Sequence, residues 1–349
     1  MTVVRVVSRA LPALHPAAAR CWHRSELRWV AAMAPRVLAR LEGVPEDWWR
    51  THAVRWTGTS VAVAVVTHPG DARRFVVKVP ATAEGVASLR RQRRVLSALE
   101  RDRRLRDWQA ALPRPFHEGE VAGRYYCVEE ALPGEQAARL VRRGRDGPAL
   151  LDASARLIQG LHSRTAREDL VDGAAVEGWV ELPLRRLERF AEARPRHGEL
   201  RAGVDRLRHD LTAALLGRRV RLGWIHGDYW PGNILASTEH GRVTGIVDWD
   251  QATAGQLPLH DLLHLHLHAR RLARGEELGD VVVRALTDGV PEAIGVPAGV
   301  VDAWTDGIPP RAALLLCWLR HATLFLDSDG HRDNRYWLRN NVERVLLRA

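Results

Sequence analysis

The stretch Trp224–Asp250, WIHGDYWPGNILASTEHGRVTGIVDWD, constrains the fold more than any other in this 349-residue chain. It opens with a polar loop from His226 to Asn233, enters the apolar pair Ile234-Leu235, turns at Glu239-His240-Gly241 and ends in Ile246-Val247-Asp248. Apolar runs separated by a short polar turn containing glycine predict a β-hairpin. A hairpin brings its ends together, so Asp228, Asn233 and Asp248 are expected to converge on one small volume. Two carboxylates and an amide, with no cysteine nearby, make an all-oxygen ligand set, which suits Mg²⁺ better than Zn²⁺. Any one of these residues alone is ordinary turn chemistry, because Asp and Asn side chains bond nearby backbone. The run of fixed loop positions, followed by a second acidic motif, is what points to a site.

The spacing His226-x-Asp228-x4-Asn233 matches the catalytic loop of the protein-kinase signature, in which the Asp engages the acceptor hydroxyl and the Asn holds metal. The second motif is Asp248-Trp249-Asp250 rather than Asp-Phe-Gly, and no Ala-Pro-Glu follows it. With Trp-Pro-Gly inside the first motif and Ile-Val-Asp-Trp as the second, the stretch resembles the aminoglycoside phosphotransferase and choline kinase family. The resemblance extends over residues 53–325. It implies an α+β, protein-kinase-like bilobal fold, with a small β-rich N-lobe and a larger, mostly helical C-lobe, acting on Mg²⁺-ATP. It implies transfer of the γ-phosphoryl group to a hydroxyl of a small molecule. On the same resemblance Lys78 holds the α- and β-phosphates, Asn233 and Asp248 bind Mg²⁺, Asp228 orients the acceptor hydroxyl and takes its proton, and His226 braces the loop.

Composition sharpens one of these assignments. Of 52 basic residues only Lys78 is a lysine. A compact ammonium does not exchange freely with a planar guanidinium where it must fit between phosphate oxygens and a carboxylate, so Lys78 is a candidate on composition alone. The net charge of +10 is diffuse, and its densest run, Arg90 to Arg106, has apolar residues at helical spacing between the arginines. That pattern is a solvated helix face, and no nucleic-acid partner is expected. Cys21, Cys127 and Cys317 are scattered, which favours a reducing cytoplasm. Apolar runs such as Ala312–Leu319 are too short to span a bilayer, and Pro12 and Pro16 interrupt the N-terminal stretch, so neither a membrane partner nor a signal peptide is expected.

In chain order, residues 1–45 form an Arg- and Ala-rich extension in which Ser25–Leu41 has helical character. Residues 46–132 form the nucleotide-binding N-lobe, where Val54–Trp56, Val61–Val66 and Phe75–Val79 predict three strands of an antiparallel meander. The turn Thr57, Gly58, Thr59 and Ser60 lies where a kinase-like fold covers the phosphates; with one glycine it reads equally as an ordinary hairpin turn. A helix is predicted from Thr82 to Arg104, with Gln92 on its apolar face. In the resembled family that position is commonly a Glu paired with the strand lysine. Gln92 offers Lys78 a hydrogen bond without neutralising it, and Glu84 is an alternative partner. Tyr125–Glu130 predicts a strand leading to the hinge, whose backbone from Glu130 to Leu132 meets adenine in the resembled family.

Residues 133–349 form the C-lobe, with the catalytic loop and acceptor-binding helices. Asp261 is expected to cap or brace the hairpin. His260, His264 and His268 recur every four residues on one helix face, a spacing that suits Zn²⁺. No fourth ligand or Glu-based protease motif accompanies them, and a helix lining the acceptor pocket is the preferred expectation. The acceptor's identity is open. The alternative function is a nucleotide-binding, pseudokinase-like protein without transfer activity, motivated by Gln92 and the single-glycine turn.

Overall fold

The computed structural model describes residues 16–57, 60–70, 73–143, 147–237, 241–326 and 333–349. Gly58 and Thr59 of the expected phosphate turn, and Glu239 and His240 of the expected hairpin turn, lie outside the described residues. The chain divides into two compact units: Met1–Arg103, Gln109–Pro133 and Gly245–Asp250 form one, and Arg104–Trp108, Gly134–Thr244 and Gln251–Ala349 the other.

The first unit is built on a five-stranded antiparallel sheet ordered β1-β2-β3-β5-β4. Its strands are β1 (Arg50–Trp56), β2 (Val61–Thr67), β3 (Arg74–Pro80), β4 (Pro115–Val121) and β5 (Arg124–Glu130). Both faces are covered, which is why β2 reads as an unbroken apolar run rather than an alternation. On one face, Ala62, Ala64, Val66, Phe75, Val77, Val79 and Val128 pack against Val30, Met33, Ala34, Val37 and Leu38 of helix α1 (Pro16–Glu42). On the other, Val61, Val63 and Cys127 pack against Leu89 of helix α2 (Ala83–Arg101). Thr82 caps α2, its hydroxyl accepting from Gly85 N–H at 3.1 Å.

Helix α1 contains Pro35, which has no N–H for the carbonyl of Ala31 four residues earlier. That carbonyl is satisfied from the sheet instead: the Thr51 hydroxyl of β1 donates to Ala31 O at 2.6 Å. Thr51→Val should therefore destabilise the protein by about 1 kcal/mol, the low end of the cost of stranding an acceptor, since this one is only partly buried. The urea midpoint should fall at unchanged slope; an unchanged midpoint would show that water replaces the hydroxyl.

The second unit begins with β6 (Glu135–Gln136), α3 (Ala137–Arg142), α4 (Gly147–Thr165) and β7 (Arg167–Leu170). The short α5 (Gly173–Val176) continues through a π-helical turn into α6 (Leu182–Glu192), and α7 (His197–Leu215) follows. Next come β8 (Arg219–Ile225), β9 (Ile234–Ala236), β10 (Val243–Ile246), whose last two residues belong to the first unit, and β11 (Thr253–Gln256). The unit closes on helices α8 (Leu259–Arg274), α9 (Leu278–Asp288), α10 (Val290–Ile294), α11 (Ala298–Thr305) and α12 (Pro310–Leu326), and a further helical stretch from Arg335. β6 pairs with β9, and β7 and β11 flank β8. The apolar run Ala312–Leu319 is the buried interior of α12. Among the described residues no helix is long and apolar enough to cross a membrane.

Candidate active site

In the second unit β8 runs directly into the loop that the sequence singled out. The loop is held by its backbone. Buried Asp261, at the start of α8, accepts from His226 N–H and Gly227 N–H, each at 2.8 Å, and from His162 Nε2 of α4 at 3.0 Å. Burial opposes the Asp261 charge, but the His162 hydrogen bond and the nearby imidazoles outweigh it and keep the carboxyl below its ordinary value. Asp261 thus braces the loop preceding the hairpin.

Gly227 has φ +81°, and a Cβ there would fall 2.4 Å from Gln251 O, so the position admits only glycine. Its carbonyl accepts from Arg320 of α12 at 2.5 Å. Tyr229 is fully buried and donates its hydroxyl to Ser154 O of α4 at 2.8 Å. These anchors leave Asp228 projecting from a fixed turn. Asn233 donates through Nδ2 to Asp228 Oδ2 at 3.0 Å and to Asp228 O at 2.9 Å. Donation through Nδ2 reserves the Asn233 side-chain oxygen as the atom suited to a hard cation. Asp228 N–H donates to His226 Nδ1 at 3.3 Å, which is how His226 braces the turn. His264 Nε2 of α8 hydrogen-bonds Asp228 Oδ1 at 3.1 Å. Burial would raise the Asp228 pKa, but the His264 hydrogen bond, with the fields of His264, His226 and His321, takes it down to about 2.

The His260–His264–His268 face does not act as one group. His264 and His268 meet His321 of α12, while His260 is not part of that group and its backbone carbonyl accepts from Cys317 Sγ at 3.6 Å. His260 is buried and its pKa is lowered to about 3, first by burial and then by Arg320, against an opposing pull from Asp261. The unfolded chain therefore takes up this proton near pH 6.5 while the folded one refuses it until about pH 3. Its contribution to stability is fully present above pH 6.5 and is lost as the pH falls, with a slope of about 1.4 kcal/mol per pH unit. His260→Gln should flatten the melting-temperature profile between pH 6 and 4; an unchanged profile would remove His260 as the cause.

In the first unit, Lys78 lies on β3, only 6% exposed, and points to the α2 face of the sheet. Its partner is neither Gln92 nor Glu84. Lys78 Nζ lies 3.0 Å from Glu129 Oε2 and 3.7 Å from Asp248 Oδ1. Gln92 Nε2 donates to Glu129 Oε1, so the amide supports the carboxylate rather than the lysine. The sheet register explains the pairing: Lys78 faces Cys127 and Val76 faces Glu129, which puts Lys78 and Glu129 on one face as diagonal neighbours. Burial works against the ammonium, but Glu129 and then Asp248 outweigh it and hold Lys78 charged, above its ordinary pKa. The sequence reading missed Glu129. Alternation along β5 marks it as facing the same way as Cys127, although its partner depends on a pairing that only the fold supplies.

Asp248 adopts φ +63°, a strained conformation for a non-glycine residue, held from both sides. Trp249 is fully buried and donates to Ile246 O at 2.8 Å, and Ser88 of α2 donates to Asp250 Oδ2 at 2.7 Å. At the end of β5, Glu130 N–H is committed to Arg114 O and Ala131 N–H to Arg74 O, both at 2.9 Å. Gly245 leaves room for Leu132, whose Cδ1 would stand 2.4 Å from any Cβ there. Thr57 closes its turn, N–H to Val61 O at 2.9 Å, and Ser60, at φ +55°, accepts from Ala81 N–H at 3.0 Å.

The sequence matches the phosphotransferase enzyme family over residues 51–296. The chain belongs to that family. No curated protein matches it. Among solved structures it is similar to a glucosamine kinase in complex with glucosamine, ADP and inorganic phosphate (18% identity, 84% of this chain and 80% of the other, TM-score 0.50). It is also similar to the ADP-bound aminoglycoside phosphotransferase APH(2'')-Ib (14% identity, 85% and 92%, TM-score 0.50). The fold is accordingly the expected kinase-like α+β one, a β-sheet N-terminal region followed by a helical C-terminal region.

Proposed function

We propose that this member of the phosphotransferase family moves the γ-phosphoryl group of ATP to a hydroxyl of a small molecule. The observation that carries the proposal is Asp228, an ionised carboxylate held on a braced turn by Asn233 and His264. Phosphoryl transfer needs positioning and charge neutralisation more than covalent help, and this arrangement supplies the positioning. Asp228 orients the acceptor hydroxyl and accepts its proton. Lys78, kept charged by Glu129, takes phosphate oxygens. Thr57 and Ser60, with Gly58 and Thr59, belong to the turn assigned to the phosphates, and the Glu130 carbonyl and Leu132 to the adenine edge.

The side-chain oxygen of Asn233 and the carboxylate of Asp248 are the groups assigned to Mg²⁺, each being a hard oxygen donor. When bound, the ion neutralises phosphate charge. His226, Gln92 and Asp261 act through the residues they hold.

The test is ATP consumption with Mg²⁺ across a panel of amino sugars, amino alcohols, hydroxy amino acids and macrolides, with Asp228→Ala alongside. Turnover stimulated by one compound and absent in the variant supports the reading. Mg²⁺-ATP binding without turnover on any acceptor overturns it in favour of a nucleotide-binding protein without transfer activity.

A further inference from the structure

We propose that His264, His268 and His321 bind a divalent transition-metal ion of the Zn²⁺ class. Helix α8 places His264 and His268 four residues apart on one face, and α12 brings His321 to them. One ring nitrogen from each lies within 4.8 Å of the other two. The ring centroids stand 4.2 Å apart for His264 and His268, 5.0 Å for His264 and His321, and 5.2 Å for His268 and His321. Three imidazole nitrogens are the donor set of a tetrahedral Zn²⁺ site that keeps its fourth position open. This set differs from the oxygen set offered to Mg²⁺, since imidazole selects Zn²⁺, Co²⁺, Ni²⁺ or Cu²⁺ and hard oxygens select Mg²⁺.

Two further observations separate a metal site from a stack of aromatic rings. His268 is 7% exposed, and both of its ring nitrogens are buried without a hydrogen-bond partner. Packing against Trp230, with ring centroids 5.8 Å apart, accounts for its ring faces and leaves its nitrogens unexplained. A buried polar atom without a partner is costly, and a metal ion would satisfy one of the two. His264 supplies the other observation. Its Nε2 lies 3.1 Å from the Asp228 carboxylate, the kind of outer-shell contact that orients a metal-binding histidine; donating there would leave Nδ1 for the ion. A bound ion would lie one imidazole away from Asp228.

The experiment uses the full chain, freed of metal with a chelator and titrated with Co²⁺, following visible absorption and bound metal after equilibrium dialysis. The expected result is one saturable equivalent with the spectrum of a low-coordinate nitrogen site, displaced by Zn²⁺. The signal should be lost in His268→Gln and in His321→Asn, and kept in His197→Ala, an exposed histidine on α7. His321 is only half-buried, so His321→Asn tests the site even where the His268 variant does not fold. Absence of saturable binding in the parent protein overturns the proposal, as does binding unchanged in a folded His321→Asn protein, which would mean adventitious ions only. The readout needs no turnover, so the outcome is independent of the phosphoryl-transfer reading.

Discussion

Asp228→Ala is expected to lower kcat by about 10²–10⁴, the usual span for a positioned proton acceptor, while the protein stays folded. Burial alone would make Asp228 hard to ionise, yet the His264 bond and the surrounding imidazoles bring its pKa to about 2. It is therefore a carboxylate at every pH at which the enzyme would be assayed. A carboxylate of such low basicity does not strip a proton from an alcohol early. On the proposed reading it would orient the hydroxyl and receive the proton late, which suits a loose transition state with little bond formation to the nucleophile. The acid limb of a kcat profile should then not report Asp228. Asp228→Asn separates the two contributions. It keeps the volume and an acceptor oxygen but removes the charge, so a loss as large as that of alanine assigns the effect to the carboxylate itself. Equal loss of folding in both variants would make Asp228 a structural residue. ATP affinity, measured separately, should change little in either.

The loop carrying Asp228 is legible in the sequence because its chemistry is local. His226, Asp228 and Asn233 contact one another across a few residues, and Gly227 takes a positive φ between them, so one tight turn dictates the residue types. The strands holding Lys78 are legible for a similar reason, since β-branched runs and turn residues mark them directly. What escaped is what depends on distant pairing. Glu129 meets Lys78 only because β3 and β5 are neighbours in a particular register, with β4 at the edge beyond β5. His321 joins His264 and His268 from another helix, and Asp250 is tied to Ser88 across 162 positions of sequence. The helical spacing that grouped His260 with His264 and His268 is correct geometry on one helix, and packing against α12 then chose which histidines act together. Thr51 and Pro35 show the same limit in the core, because the proline announces a stranded carbonyl but not the hydroxyl that satisfies it.

The second large effect concerns Glu129. Gln92 by itself suggests an enzyme that has lost the carboxylate needed by its lysine, which is one of the two grounds for a protein without transfer activity. The carboxylate is present, on strand β5 instead of helix α2, with Gln92 donating to it. Removing one partner of a buried ion pair leaves the other uncompensated, at a typical cost of about 3–5 kcal/mol. Glu129→Gln should fall at the lower end of that range, because Asp248 remains 3.7 Å from Lys78 and a glutamine still accepts a hydrogen bond. The KM for ATP should rise and kcat should fall, since the ammonium is no longer oriented. The decisive variant is the exchange of both residues, Gln92→Glu with Glu129→Gln, which returns one carboxylate and one amide to the same network. If the network needs only one negative charge beside Lys78, the exchange should recover most of the stability and the ATP affinity lost in the single variant, as a coupling energy well away from zero in the double-mutant cycle. Recovery of stability without recovery of kcat would place the requirement in where the carboxylate points, because a charge on α2 and a charge on β5 pull the Lys78 ammonium in different directions.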